Sequence, residues 1–328
     1  MTFISGSLLR RGFCPFPFIR PGICVFLFLL SGFMARSQGP DAILSAIQRN
    51  DVAAVRSLLD KGVSPAAEDS DGDNALFYAA LYSSPECMEL LLSRGADVNG
   101  RNRGGQTPLM WCAHDTAKMR LLIRYKADVN VVGRSGNTPL LVAAVGVDTY
   151  DAMKLLLDNG ADVHAVNKKK ETVLMRAACF GNARSVGLLL GRGLKIDAQE
   201  AQGMTALYLA LINENKDAFR LLLDSGADVN VISRSGWSGL TAAMIDDPEL
   251  FQAVLDRTRD VNHADNDGMT PLMWVVYNEH DRPEFVRALL DRGARVNMKA
   301  KDGSTALMWA RKKGNTATVA VLVKAGAK

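Results

Sequence analysis

The sequence predicts an all-α repeat solenoid, a stack of about nine helix-turn-helix units with projecting β-hairpin loops. Three observations predict it. An apolar residue recurs at Ile43, Leu76, Leu109, Leu140, Leu174, Leu207, Leu240, Leu272 and Leu307, at intervals of 31 to 35 residues. A glycine-bearing turn precedes most of these positions, as in Asp267-Gly-Met-Thr-Pro-Leu-Met-Trp274. A second apolar run follows each and stops at another glycine. A fixed period of this length is the signature of units that bury their apolar faces only against neighbours.

The first 37 residues stand apart. Arg10, Arg11 and Arg20 precede the apolar run Ile23-Cys-Val-Phe-Leu-Phe-Leu-Leu30, which continues to Met34 and ends at Ala35-Arg-Ser37. A basic head, a short apolar core and a small-x-small end read as a secretory signal peptide, with cleavage expected after Ser37. The run is shorter than the roughly 20 residues a spanning helix needs. An uncleaved anchor is the alternative. Arg10-Arg11 also has some likeness to a twin-arginine signal, weakened by three prolines before the apolar run.

The bulk charge follows from this division. The net charge is +4, and residues 1–37 hold four arginines and no acid, which leaves 35 bases against 35 acids. A neutral body lacks the basic field that nucleic-acid binding needs. Nor does it favour tight adhesion to an anionic membrane. Cys87, Cys112 and Cys179 form no paired spacing, so buried free thiols are expected and a disulfide framework is not.

Each unit is then justified part by part. Glycine at Gly72, Gly105, Gly136, Gly203, Gly236, Gly268 and Gly303 suits a tight turn. Thr107-Pro108, Thr138-Pro139 and Thr270-Pro271 place a side-chain acceptor at the helix N-cap and proline at the first helical position. Thr172, Thr205, Thr305, Ser238 and Asn74 are expected to cap in the same way. The first helix carries small pairs such as Ala79-Ala80, Ala143-Ala144 and Ala177-Ala178, where neighbours approach. The second helix is amphipathic, as in Met88/Leu91/Leu92 and Phe219/Leu222/Leu223. Glycines such as Gly95 and Gly226 end it, and an Ala-Asp-Val-Asn strand is expected to lead to the next turn.

Thr-Pro-Leu followed by Ala-Ala, then Leu-Leu-x-x-Gly-Ala-Asp-Val-Asn, resembles the ankyrin repeat. Arg94-Gly-Ala-Asp-Val-Asn99, Asn159-Gly-Ala-Asp-Val163 and Ser225-Gly-Ala-Asp-Val-Asn230 match that pattern almost letter for letter. The resemblance covers residues 38–328, in units of about 38–69, 70–102, 103–132, 133–167, 168–199, 200–232, 233–264, 265–299 and 300–328. It implies a curved stack of helix pairs with turns projecting to one side.

Departures from the pattern mark particular units. The family's histidine after Thr-Pro-Leu is replaced by Phe77, Met110, Leu141, Met175, Tyr208, Thr241, Met273 and Met308, with the methionines expected to fill the core. Lys126 and Thr258 stand where a C-cap glycine is usual, and a left-handed conformation at Thr258 is expected to cost about 1–2 kcal/mol. Gly239 stands where proline is usual and Arg259 where alanine is, so residues 233–262 are expected to form the least regular unit. Lys168-Lys-Lys170 puts lysine at a turn glycine; a solvated loop or an acidic-partner contact would each account for it.

No catalytic constellation is legible. His114, His164, His263 and His280 fall in different units with no HxH or HExxH spacing, so no metal is expected. A nucleophile elbow, a phosphate loop and a dinucleotide fingerprint are all missing from the sequence, so no cofactor and no enzymatic activity are expected. The resemblance implies protein binding through the concave face and the hairpin tips. Carrying the family's contact positions onto this chain gives Asp73, Tyr82, Arg103, Gln106, His114, Asp115, Arg134, Asn137, Phe180, Met204, Asn213, Trp237, Met269, Tyr277 and Asn278. Trp111, Trp274 and Trp309 are expected to pack between units, and Trp237 to stand exposed at a turn tip. The expectation is an exported, monomeric scaffold, periplasmic or extracellular, whose partner is another protein. The alternative is a membrane-anchored spacer of the cell envelope held by the N-terminal segment.

Overall fold

In the computed structural model, residues 40–146, 148–242, 247–277 and 280–328 are described. The signal-peptide expectation therefore lies outside the described residues, as does Asn278. The described chain divides into two compact units, residues 40–168 and 169–328.

The first unit contains α1 (Pro40–Gln48), α2 (Val52–Asp60), α3 (Ala75–Tyr82), α4 (Pro85–Ser93), α5 (Pro108–Trp111), α6 (Thr116–Arg124), α7 (Pro139–Ala143) and α8 (Tyr150–Asp158). Odd-numbered helices pack on one another in one row, and even-numbered helices form a second row against them. Phe77, Leu76, Met88, Leu91, Leu109, Met119 and Leu122 are fully buried where the rows meet. Lys118 on α6 is buried too, and its Nζ donates to the Ala80 carbonyl of α3 at 2.9 Å. That bond occupies a carbonyl at a helix end which the helix itself leaves unpaired.

The second unit contains α9 (Val173–Phe180), α10 (Ala183–Leu190), α11 (Ala206–Ile212), α12 (Lys216–Asp224), α13 (Gly239–Ala242), α14 (Pro248–Arg257), α15 (Pro271–Tyr277), α16 (Pro283–Asp291), α17 (Ala306–Lys313) and α18 (Thr316–Lys324). The same two rows recur. Phe251 of α14 stacks on Phe285 of α16 with centroids 4.2 Å apart. Lys216–Asp247 at 2.6 Å and Arg220–Glu249 at 2.7 Å tie α12 to the start of α14. Asn215 caps α12 and also donates to the Ala178 and Gly181 carbonyls at the end of α9.

The caps follow the sequence pattern with one exception. Thr138, Thr172, Thr205, Thr270 and Thr305 each accept from the backbone amide three residues on. Asn74 and Ser238 do the same. Thr107 does not: its hydroxyl is buried without a partner. The replacements Met110, Met175 and Met273 are buried, while Met308 is exposed. Cys87, Cys112 and Cys179 are buried free thiols, and burial pushes Cys112 up to about 12.

Two backbone expectations are corrected. Thr258 is not left-handed: its φ is −75° and ψ 128°, so it carries no such strain. The chain there leaves α14 directly in an extended conformation. Lys126 and Lys170 do adopt positive φ, at 68° and 62°. The second correction concerns Ala-Asp-Val-Asn, which is a turn and not a strand. In each copy the aspartate accepts from the amide two residues on, as Asp97 does from Asn99 and Asp228 from Asn230. Such Asx turns compete with extended pairing. Among the described residues Glu68 and Asn74 form an isolated β-bridge, and Val166 and Thr172 are bridge residues as well. Residues 243–246 of the unit expected to be least regular lie outside the described residues.

The asparagine that ends this segment joins successive units. Asn130 Oδ1 accepts from the Asp162 amide and its Nδ2 donates to the Gly160 carbonyl. Asn230 holds the Arg259 amide and the Arg257 carbonyl, and Asn262 the Arg295 amide and the Gly293 carbonyl. Asp197 stands at the same position, accepts from the Asp228 amide and has no amide group to donate.

Candidate partner-binding surface

The projecting turns are built from short closed loops. In each, a residue's amide bonds the carbonyl four residues on, as Asp69 with Asp73, Asn102 with Gln106 and Asp265 with Met269. A side-chain acceptor sits inside. Asp69 Oδ1 accepts from Asp71 and Asp73, Asn102 Oδ1 from Gly104 and Gln106, and Asp265 Oδ1 from Asp267 and Met269. Glu200 does the same for Gln202 and Met204. The sequence reading missed these acceptors. Their signal is a polar residue three positions before the turn glycine.

Successive tips are stitched through the backbone. In the first unit Arg134 N donates to Gly104 O at 2.9 Å and Lys168 N to Ser135 O at 3.1 Å. In the second, Ala201, Arg234, Asn266 and Lys301 donate to Lys169, Gln202, Ser235 and Asp267. Gly268 shows why glycine is needed: its φ is +78°, and a Cβ there would lie 2.9 Å from the Lys301 nitrogen.

In residues 40–168 the expected contact positions separate into two kinds. Tyr82 is 53% exposed, and Arg103 and Arg134 are exposed on adjacent tips. His114 is exposed as well, though partial burial of its ring lowers its pKa. The others are held inside the fold. Gln106 Oε1 accepts from Trp111 Nε1, and Asn137 Oδ1 accepts from Asn167. Asp115 is the N-cap of α6, accepting from Ala117 and Lys118. Asp73 accepts from Asn102, and burial, followed by repulsion from Asp69 and Asp71, raises its pKa. Burial alone would also raise Asp69, but the Asp73 amide, the Tyr78 hydroxyl and the amides of Asp71 and Gly72 together lower it.

In residues 169–328, Phe180 and Met204 are half-buried, and Asn213 donates to the Leu209 carbonyl. Met269 is buried, contrary to the expectation of exposure, because both its amide and its carbonyl close the loop on Asp265. Trp237 is half-buried rather than standing free. Its ring meets Trp274 edge-on at 5.5 Å, Trp274 meets Tyr277 at 5.6 Å, and Tyr277 meets Trp309 at 4.8 Å. Trp274 Nε1 donates to Asp265 Oδ2 at 2.8 Å and Trp309 Nε1 to Ser304 at 2.9 Å, so the indoles are held in place. Lys312 and Lys313 lie 4.8 Å from the Trp309 and Tyr277 ring centroids. The sequence reading brought Trp237 and Tyr277 forward but not these lysines.

Among the described residues no group of three His, Cys, Asp or Glu side chains is arranged to hold a metal, and no helix is long and apolar enough to cross a membrane.

Known proteins agree with this architecture. A profile for ankyrin repeats in three copies matches residues 21–102, 99–167, 146–233 and 240–328. An ankyrin repeat-containing protein of Schizosaccharomyces pombe is 39% identical over 62 residues, 17% of this chain and 30% of that protein. The E3 ubiquitin-protein ligase KEG of Arabidopsis thaliana is 30% identical over 146 residues, 43% of this chain and 7% of the ligase. Protein PhlB of Serratia liquefaciens is 46% identical over 57 residues, 17% of this chain and 25% of PhlB. The chain thus spans less than a third of the length of each of these relatives. With the paired helices, the capped turns and the profile matched along most of its length, the chain belongs to the ankyrin repeat family.

Proposed function

We propose that this chain is an exported scaffold of about nine ankyrin units over residues 38–328, binding another protein through the concave face and the turn tips and performing no chemistry. The observation that carries the reading is the contrast at the turns. Their backbone is stitched from tip to tip, while Tyr82, Arg103 and Arg134 remain exposed on that fixed frame. Side chains already ordered by their scaffold lose less freedom on binding, which favours recognition. Ankyrin repeats mediate protein–protein interactions in general, and that supports the class of partner. The basic and apolar character of residues 1–37 supports export.

A photo-cross-linking residue placed at Tyr82, and in a second variant at Arg103, tests the surface. Capture of the same discrete protein from both positions, and not from Arg120 on the second-helix row, is the expected result. Capture from Arg120 alone would place binding elsewhere. N-terminal sequencing of the mature chain tests export, with a start near Gln38 expected. An intact N-terminus in a membrane fraction would favour the envelope-anchored spacer instead.

A further inference from the structure

The row Trp237, Trp274, Tyr277 and Trp309 has features that interior packing does not require. It runs through three successive turn-and-first-helix segments, and every ring in it is half-buried. Core aromatics of this unit, such as Phe219 and Phe251, are fully buried in the second-helix row. The indole N–H groups of Trp274 and Trp309 are already spent on Asp265 and Ser304. What remains for a partner is ring surface, fixed in orientation and presented in edge-to-face steps. Aromatic surface that is ordered before binding makes a strong interface anchor.

The charge beside the row has one sign. Lys312 and Lys313 sit against Trp309 and Tyr277, are exposed, and take part in no ion pair recorded among the described residues. Arg311 precedes them on the last turn of α17 and is exposed. Arg234 and Lys301 project from neighbouring tips. Asp265 forms no direct pair with these lysines: it is buried, and its oxygens are taken by Trp274 and two backbone amides. Asp267 and Asp302 are the exposed acids of these tips, and hydrogen bonds from Ser304, with a smaller contribution from Lys312, lower the pKa of Asp302. Basic groups thus outnumber exposed acids along the row, although the body of the chain is neutral. A basic margin of a few side chains on a neutral body matches a short acidic segment better than a nucleic acid, whose binding needs a basic groove that tracks the backbone.

We infer that this row and its lysines form a docking strip for an extended acidic segment of a partner protein, with proline or aromatic side chains lying on the fixed rings and carboxylates meeting Lys312 and Lys313. The inference rests on the scaffold reading above and names the chemistry of the partner.

The test uses the full chain and three labelled synthetic peptides of equal length, read by fluorescence anisotropy and by quenching of tryptophan emission. One alternates glutamate with proline and phenylalanine, one has lysine for glutamate, and one has serine for the rings. Saturable binding of the first peptide alone is expected. The double variant K312E/K313E should weaken it about tenfold, since each lysine meets a carboxylate at a partly desolvated contact. Trp309→Phe, which keeps a ring, should weaken it less than Trp309→Ala, with thermal midpoints measured on every variant to confirm folding. Equal binding of the lysine peptide, or K312E/K313E binding unchanged, would overturn the inference. So would displacement of the first peptide by phosphatidylserine vesicles or single-stranded DNA at lower concentration than unlabelled peptide. If no peptide binds while cross-linking at Tyr82 still captures a partner, the docking strip is wrong and the scaffold reading stands.

Discussion

Replacing Asn230 by alanine removes two bonds that join neighbouring units, together with one to Asp228 within its own unit. Asn230 Oδ1 accepts from the Arg259 amide at 2.8 Å, and its Nδ2 donates to the Arg257 carbonyl at 3.1 Å. Arg257 is the last residue of α14 and Arg259 follows it, so both partners sit at the C-terminal end of the next unit's second helix. A net hydrogen bond is worth about 1 kcal/mol, so losing the two between units should cost about 2 kcal/mol, less where water reaches the freed groups, and the lost bond to Asp228 adds to it. In a stack whose stability is a sum of neighbour terms, the loss falls on one junction. Urea unfolding should therefore show a lowered midpoint, and amide exchange should accelerate first at Arg259. The converse substitution, Asp197→Asn, supplies an amide donor where the side chain now only accepts from Asp228. It should raise stability by about 1 kcal/mol by adding one such bond. Asn230→Ala within about 0.3 kcal/mol of the parent, with Arg259 exchange unchanged, would refute the joining role, since real loss of two bonds exceeds that margin.

Three further outcomes follow from named side chains. Thr107→Val should leave stability unchanged or raise it, because its buried hydroxyl has no partner, while Thr138→Val should cost about 1 kcal/mol by removing a working cap; paired urea titrations decide this. Gly239→Pro would restore the family's usual residue yet should destabilise by about 3 kcal/mol, because the Gly239 amide donates to Val229 and an added Cβ would lie 2.6 Å from that carbonyl; the midpoint of thermal unfolding reports it. Tyr78→Phe removes a hydroxyl that helps hold Asp69 below the ordinary carboxylate range, so the carboxyl should titrate at higher pH in an NMR titration. A lowered folded-state pKa stabilises above the unfolded value and is lost as pH falls through the folded one. In the phenylalanine variant the contribution of this carboxyl should be smaller, and its acid-induced loss, which starts near the unfolded pKa in both proteins, should be complete at higher pH than in the parent.

Much of the fold was legible because each unit restates the same local rules. The turn glycine, the threonine cap and the apolar face of the second helix each depend on a few adjacent residues. Readings that depended on neighbours in space were less secure. Ala-Asp-Val-Asn looks extended by composition, but the aspartate bonds its own backbone and bends it into a turn. Thr258 appeared strained by alignment, whereas the chain there avoids the left-handed conformation altogether. Met269 and Asp115 occupy surface positions of the family pattern, yet one closes its own loop and the other caps α6. The aromatic row was the least legible feature: Trp237 and Trp274 are 37 positions apart and meet only through the folding of one turn onto the next.

The exposed residues of the turns and first helices, on a frame stitched by backbone bonds, are proposed to form a surface for another protein. Photo-cross-linking from Tyr82 and Arg103 against Arg120 tests that claim most directly. One discrete protein captured from both turn-side positions and absent from Arg120 is the predicted result. Capture confined to Arg120, or equal capture from all three positions, would contradict it.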